Sequence, residues 1–244
     1  LDPSSLPQAI RAQLAERWAA EASFEHASIA SFARASLELL ALGAPPALLA
    51  GAQAAALDEV THARLGYALA SAYAGRALGP GALPAAALGV AAPSFASLAA
   101  GTFRDACLGE TVASLRAEAA AEGTTCPAVN AVLRTIAADE GRHAELAWKT
   151  LAWALREGGD EAARALRAEI DALRAQGPSL DAGADGPLDL AEHGFLSARD
   201  DGALRLRALR EVVIPCAEAL LASAQRLLPT PVSTPSALAS IEVP

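Results

Sequence analysis

The chain has 244 residues and a formal net charge of −9, and of its 19 basic residues only Lys149 is a lysine. Nucleic-acid binding depends on clustered Lys and Arg, so no nucleic-acid partner is expected. Hydrophobic residues make up 53%, yet aromatics only 4%, and alanine fills 65 positions; this favours helices packed through small side chains over a sheet, and the expected fold class is all-α. No methionine occurs, so Leu1 is not read as a translational start and an export signal would lie outside the sequence; a cytoplasmic location is the default expectation.

Cys107, Cys126 and Cys216 form no CxxC pair, which removes zinc-knuckle and dithiol redox chemistry. The uncharged stretch Ala77–Phe103 has the length of a membrane span. It is broken by Pro80, Pro84 and Pro93, and no span is expected.

In chain order, a period of 3.6 places Leu14, Trp18, Glu21, Glu25, Phe32 and Leu39 on one face of a helix from Pro7 to about Leu42. Gly43-Ala44-Pro45-Pro46 breaks it. A second helix, Ala47 to Ala74, carries Leu48, Ala52, Glu59, His62, Leu69 and Tyr73 on one face. Arg76 to Ala92 is rich in Gly and Pro and, extended, reaches roughly 55 Å. Pro93 and Ser94 open a third helix with Phe103, Cys107, Glu110, Ser114 and Ala117 in register, closed by Gly123. Pro127 starts a fourth, whose inward row is Val129, Leu133, Ile136, Glu140, His143, Ala147, Leu151 and Ala154, and Gly158-Gly159 is expected to end it. A shorter helix over Asp160–Gln176, a loop through His193 and a helix over Ser197–Leu228 follow. The expected organisation is a metal-binding helical unit over 7–157, a helical extension packed on it over 158–228, and a Pro/Ser-rich tail over 229–244.

The inward rows are apolar except at one kind of position: Glu25, then Glu59 with His62, then Glu110, then Glu140 with His143. A glutamate three residues before a histidine puts both on one helix face about one turn apart, so both reach one metal centre. Glutamate is 17 of the 244 residues, yet two of the four histidines carry it at i−3. Counted from a turn centre near residue 43.5, Glu25 lies 18.5 residues back, and Glu59 and His62 lie 15.5 and 18.5 forward. Around a centre near residue 124, Glu110 lies 14 back, and Glu140 and His143 lie 16 and 19 forward. Each helical hairpin thus offers one Glu and one Glu-x-x-His at a shared level. Four carboxylates facing one interior repel unless protonated or neutralised, and two divalent cations would cancel their charge.

This pattern resembles the ferritin-like diiron carboxylate proteins, which place two single Glu and two Glu-x-x-His on four helices. Asp58-Glu59-Val60-Thr61-His62 and Asp139-Glu140-Gly141-Arg142-His143 are similar to the duplicated DExRH signature of the oxygen-activating branch; Thr61 stands where that signature has Arg. The resemblance covers Pro7 to about Glu157. It implies a four-helix bundle with one long crossover between two hairpins, supplied by Arg76–Ala92, with the extra C-terminal helices added. It further implies Glu59 and Glu140 as metal-bridging carboxylates, Glu25 and Glu110 as terminal ones, and one metal each for His62 and His143. The two ions would be iron, with manganese or a mixed pair suited to the same ligands. Asp58 and Asp139 would accept the remaining N–H of the opposite hairpin's histidine.

Cys107 and Ser114, one turn either side of Glu110, are candidates for a substrate or O2 pocket. Glu21 is a candidate extra ligand or metal-entry residue, while His26 and His193 read as packing or surface residues. Two functions compete: O2-dependent oxidation of a small organic molecule, with an external electron donor since no CxxC pair exists, and oxidation of Fe(II) itself as a ferroxidase. A monomer or homodimer is expected.

Overall fold

In a computed structural model the described residues are 2–84, 92–175 and 190–227. Part of the expected crossover, part of the loop before His193 and the 229–244 tail lie outside them. Every regular element among the described residues is helical: α1 (Gln8–Ala41), α2 (Pro46–Ala74), α3 (Phe95–Gly101), α4 (Leu108–Gly123), α5 (Pro127–Ala175), α6 (Ala198–Ala208) and α7 (Ile214–Leu227).

Turn chemistry sets the ends. Gly43 (φ 71°) takes the left-handed conformation after α1, and Ala44 N–H closes the turn onto Leu39 C=O at 2.9 Å. Pro46 then opens α2 at a position where the missing N–H costs nothing. Ser94 and Ser97 form a reciprocal capping box ahead of α3.

One feature departs from the sequence expectation. The third helix is interrupted by a π-helical turn at Thr102–Cys107, and a second such turn, Leu209–Val213, joins α6 to α7. The second has a visible cause: Pro215 has no N–H and its ring would clash with the Glu211 carbonyl in a regular helix, and the wider turn relieves both. At Gly159 the helical path breaks as expected: its φ of 52° and ψ of −136° are not helical, and α5 is two helical stretches joined across that kink, the second running to Ala175. That conformation is accessible to glycine and strained for other residues.

α1 packs on α2, α4 on α5, and the two hairpins meet along α2 and α5; α6 lies on α4 and α7 on α5. The apolar core has two parts. One gathers Leu39, Leu48, Ala52, Leu151 and Ala154 near the α1–α2 turn, together with Val213 and Leu221 of the C-terminal helices. The other gathers Leu14, Trp18, Leu69, Tyr73, Val129 and Leu133 at the opposite end, closed by Leu190 and Phe195. On α1, α2 and α5 the glutamates and histidines fall between these two clusters in the chain, so a polar layer is held between two dry ones.

Candidate metal centre

The structure brings the six expected ligands together. Glu25, Glu59, His62 and Glu140 offer four donor atoms within 4.8 Å of one another, and Glu59, Glu110, Glu140 and His143 form a second such set of four. The two groups overlap through Glu59 and Glu140. Both shared glutamates and both imidazoles are buried, while Glu25 and Glu110 are partly accessible. This buried Glu/His cluster has the composition and spacing to hold a metal ion.

The donor atoms also fit a cation on chemical grounds. Glu59 Oε2, Glu140 Oε2 and the Nδ1 atoms of both histidines are buried without a hydrogen-bond partner, and a native interior rarely leaves such atoms unsatisfied. His62 Nδ1 lies 3.4 Å from Glu140 Oε1 and 3.7 Å from Glu59 Oε2, and His143 Nδ1 lies 3.2 Å from Glu59 Oε1. Each histidine Nδ1 thus faces both Glu59 and Glu140.

Without a cation, protons must balance the charge. Burial raises the Glu25 carboxyl to about 8, helped by the neighbouring Glu59 and Glu140 and opposed by His62. Glu110 is driven well above the ordinary range by burial and by Glu140. Burial would lower both imidazoles, but the facing carboxylates win: Glu140, Glu25, Glu59 and Asp139 raise His62 to about 12, and Glu140 with Glu59 raises His143 to about 9. The same contacts act in reverse on the shared carboxylates, where burial opposes ionisation but the imidazoles hold Glu59 and Glu140 below their usual range. At neutral pH the cluster is therefore two imidazolium ions, two carboxylates and two neutral carboxyls. Two divalent cations would replace those protons with the same net charge.

Behind the histidines, His62 Nε2 is 3.0 Å from Asp139 Oδ2, and His143 Nε2 is 3.3 Å from Asp58 Oδ2. Each aspartate thus belongs to the hairpin opposite its histidine. Such a carboxylate fixes the tautomer and leaves Nδ1 free to bind. Arg142 joins the pair: one guanidinium nitrogen donates to Asp58 at 3.1 Å and lies 2.7 Å from Asp139. In the sequence Arg142 is only one letter of the DExRH pattern; its bridging of two hairpins depends on how α2 meets α5. Phe32 was a core residue in the sequence reading, but it sits edge-on to His143 with ring centroids 5.1 Å apart. Its place seven residues after Glu25, on the same helix face, was the available signal.

A cleft of about 1870 Å³ opens between α1 and α4 and reaches Glu25, Glu59, Glu110, Glu140 and His143. Phe24, Ser28 and Ala35 line one wall, Ala106, Gly109 and Ala113 the other. Cys107 and Ser114, the expected pocket residues, are not on these walls. Cys107 is fully buried in the core, and Ser114 Oγ donates to Ala137 C=O at 2.9 Å across the α4/α5 contact. Helix geometry accounts for this: Cys107 and Ser114 turn towards the core and α5, Gly109 and Ala113, about 100° round, face α1, and Glu110 lies at the edge of the cleft between them. Glu21 does line the cleft. His26 is half-buried on α1, and Tyr73 Oη meets His193 Nδ1 at 3.0 Å, tying the 190–196 loop to α2.

No helix is long and apolar enough to cross a membrane among the described residues. Comparison with protein-family models, with curated proteins and with solved structures finds no match.

Proposed function

We propose that the chain is a ferritin-like four-helix carboxylate protein with a dinuclear metal centre that uses O2 to oxidise an organic substrate. The observation that carries this reading is the pair of overlapping ligand groups sharing Glu59 and Glu140, the arrangement two adjacent ions require. Iron is the metal that the resemblance implies, and bound there it would supply the electrons that O2 activation needs.

The protein's own part is to position and to exclude water. Glu59 and Glu140 would serve both ligand sets, with Glu25 and His62 completing one and Glu110 and His143 the other. Asp139, Asp58 and Arg142 hold the imidazoles in the ligating tautomer. The two apolar clusters keep water from the ends of the polar layer, so access is through the α1/α4 cleft, on whose walls lie the partly accessible Glu25 and Glu110. An opening of that size admits an organic molecule, which supports oxidation of a substrate. Electrons would come from a separate donor, because Cys107 is buried, and Cys126 and Cys216 are not paired with it.

One observation favours the second reading, a ferroxidase. Glu21, one turn before Glu25 in the same wall, gives Fe(II) an acidic approach. Aerobic titration with excess Fe(II) separates the two. The oxygenase reading expects oxidation to stop at about two ions per chain, in a small particle. Continued turnover of Fe(II) with mineral in a large hollow assembly would favour the ferroxidase and sink the proposal.

A further inference from the structure

The α1/α4 cleft is not uniform along its length. On α1, Arg17, Phe24, Ser28 and Ala35 fall within about 20° of one line along the helix, and all four line the cleft. Arg17 therefore sits on the row that faces the cavity, about 12 Å along the helix from Glu25. Its guanidinium lies over the Phe195 ring, 4.4 Å from the centroid, and that ring packs 5.1 Å from Trp18. Among the described residues the guanidinium has no hydrogen bond and no ion pair. Glu21 follows it by one turn, in the less favourable order for an ion pair on a helix. We propose that Arg17 holds the carboxylate of an apolar organic acid whose far end reaches the metal centre. The head site rests on the geometry alone, and oxidation of that far end rests on the function proposed above.

Stacking decides what Arg17 has left for a ligand. A guanidinium over a ring has one face covered and keeps the N–H edge that matches a carboxylate in two parallel hydrogen bonds. Acids nearby are already engaged: Asp201 lies 2.5 Å from Nε of Arg116, on the facing wall, and Asp200 accepts from Ser197 Oγ at 2.7 Å. Towards the metal the floor is Leu133 and Ile136, and the walls are Phe24, Ala113 and Ala117. That stretch suits an apolar body. At the centre four glutamates already match the charge of two divalent cations, and Glu21 adds a negative charge beside them. The anionic head is thus held at Arg17 and the tail points inward. With carbon–carbon bonds of ~1.5 Å in a zigzag, an extended chain of about ten carbons spans the distance.

Calorimetric titration of the metal-free full chain with decanoate tests the head site, with melting curves confirming that each variant is folded. Decanoate should bind with a Kd of ~10–100 µM, and decanol and decylamine roughly tenfold more weakly or worse. Arg17→Gln should weaken decanoate binding by roughly tenfold or more, and Arg17→Lys, which keeps the charge without the fork, should recover part of that loss. Arg34→Gln, about 100° off the row, should bind as the wild type does. In protein loaded with Mn(II), proton relaxation of bound decanoate should be strongest at its terminal methyl. No decanoate binding, equal binding of decylamine, binding untouched by Arg17→Gln, or strongest relaxation beside the carboxylate would each overturn the proposal. A chain that takes up no Mn(II) yet binds decanoate through Arg17 would sink the metal reading and leave the acid site standing.

Discussion

The two hairpins bring the same ligands to the centre and differ almost everywhere else. α1/α2 supplies Glu25, Glu59 and His62; α4/α5 supplies Glu110, Glu140 and His143. Among the described residues the first is bare outside and carries every exposed large hydrophobic, while the second is covered by α6 and α7. The second also contains a π-helical turn ahead of its single glutamate and an arginine within its Glu-x-x-His, where the first has a regular helix and Thr61. Only the inward positions at one level are held in common. In the proposed function metal geometry would constrain those six side chains, and packing partners decide the rest.

If the hairpins contribute equivalent half-sites that share two carboxylates, ligand removal should sort by sharing and not by hairpin. Glu59→Ala with Glu140→Ala should abolish most metal binding. Glu25→Ala or Glu110→Ala should each spare about one of two ions, since the other four-donor group is intact. Metal analysis of protein reconstituted with Fe(II) without oxygen checks this. Equal loss from Glu25→Ala and from Glu59→Ala would break the picture of overlapping groups.

The next largest effect is on pH. Glu25 titrates in the folded apo state at about 8 against an ordinary 4.5, and His143 at about 9 against 6.5. Both are raised, so each favours folding most below its ordinary value, and that contribution is lost as pH rises through the folded one. Apo stability should fall between about pH 5 and 9. Metal binding runs the other way, since cations displace the protons on His62, His143, Glu25 and Glu110, about four per chain at neutral pH. The gain in Tm on loading should therefore widen with pH. Melts at pH 5.5 and 8.5, with proton release measured in buffers of different ionisation enthalpy, test both signs, and an apo form that is more stable at the higher pH would contradict them.

The residues behind the histidines sharpen the comparison. Asp139 is 12% exposed and 3.0 Å from His62, whereas Asp58 is 30% exposed and 3.3 Å from His143. Loss of such a partner weakens metal affinity ~10–100-fold, and Asp139→Asn should cost more than Asp58→Asn. Arg142→Gln releases both aspartates and should disturb both imidazoles in an NMR spectrum of the apo protein. A change confined to one histidine would show that the bridge is not shared.

What the sequence made legible is what short-range geometry dictates. Glu59/His62 and Glu140/His143 stand out because i,i+3 spacing alone puts donor pairs on one face, and Pro46, Gly75 and Ser94 mark helix ends through local backbone chemistry. The π-helical turns are not visible in the sequence, because the 100° phase shift of one inserted residue leaves little mark on a pattern written so largely in alanine. The cleft was hidden for another reason: it exists because α1 and α4 stand apart, and neither helix encodes that separation by itself. Hence Cys107 and Ser114 looked like pocket residues, while the walls fell to Ser28, Ala35, Gly109 and Ala113.

The smallest expected difference lies in how tightly each hairpin closes. A Cβ added at Gly66 on α2 would stand 2.9 Å from Ala22 Cβ and 3.3 Å from Ala22 Cα, so part of the obstruction is backbone that cannot rotate away. At Gly141 on α5 the nearest atom is Ser114 Oγ at 3.5 Å, an ordinary contact. Both glycines lie inside helices, where alanine is intrinsically favoured by up to ~1 kcal/mol. Gly66→Ala must set that gain against overpacking, which costs ~1–3 kcal/mol, and should be net destabilising. Gly141→Ala should be neutral or stabilising. Chemical denaturation of the metal-free variants measures both. If Gly66→Ala were the more stable of the two, α1 and α2 would not approach as closely as Ala22 and Gly66 place them, and the levels that bring Glu25 beside His62 would have to be redrawn.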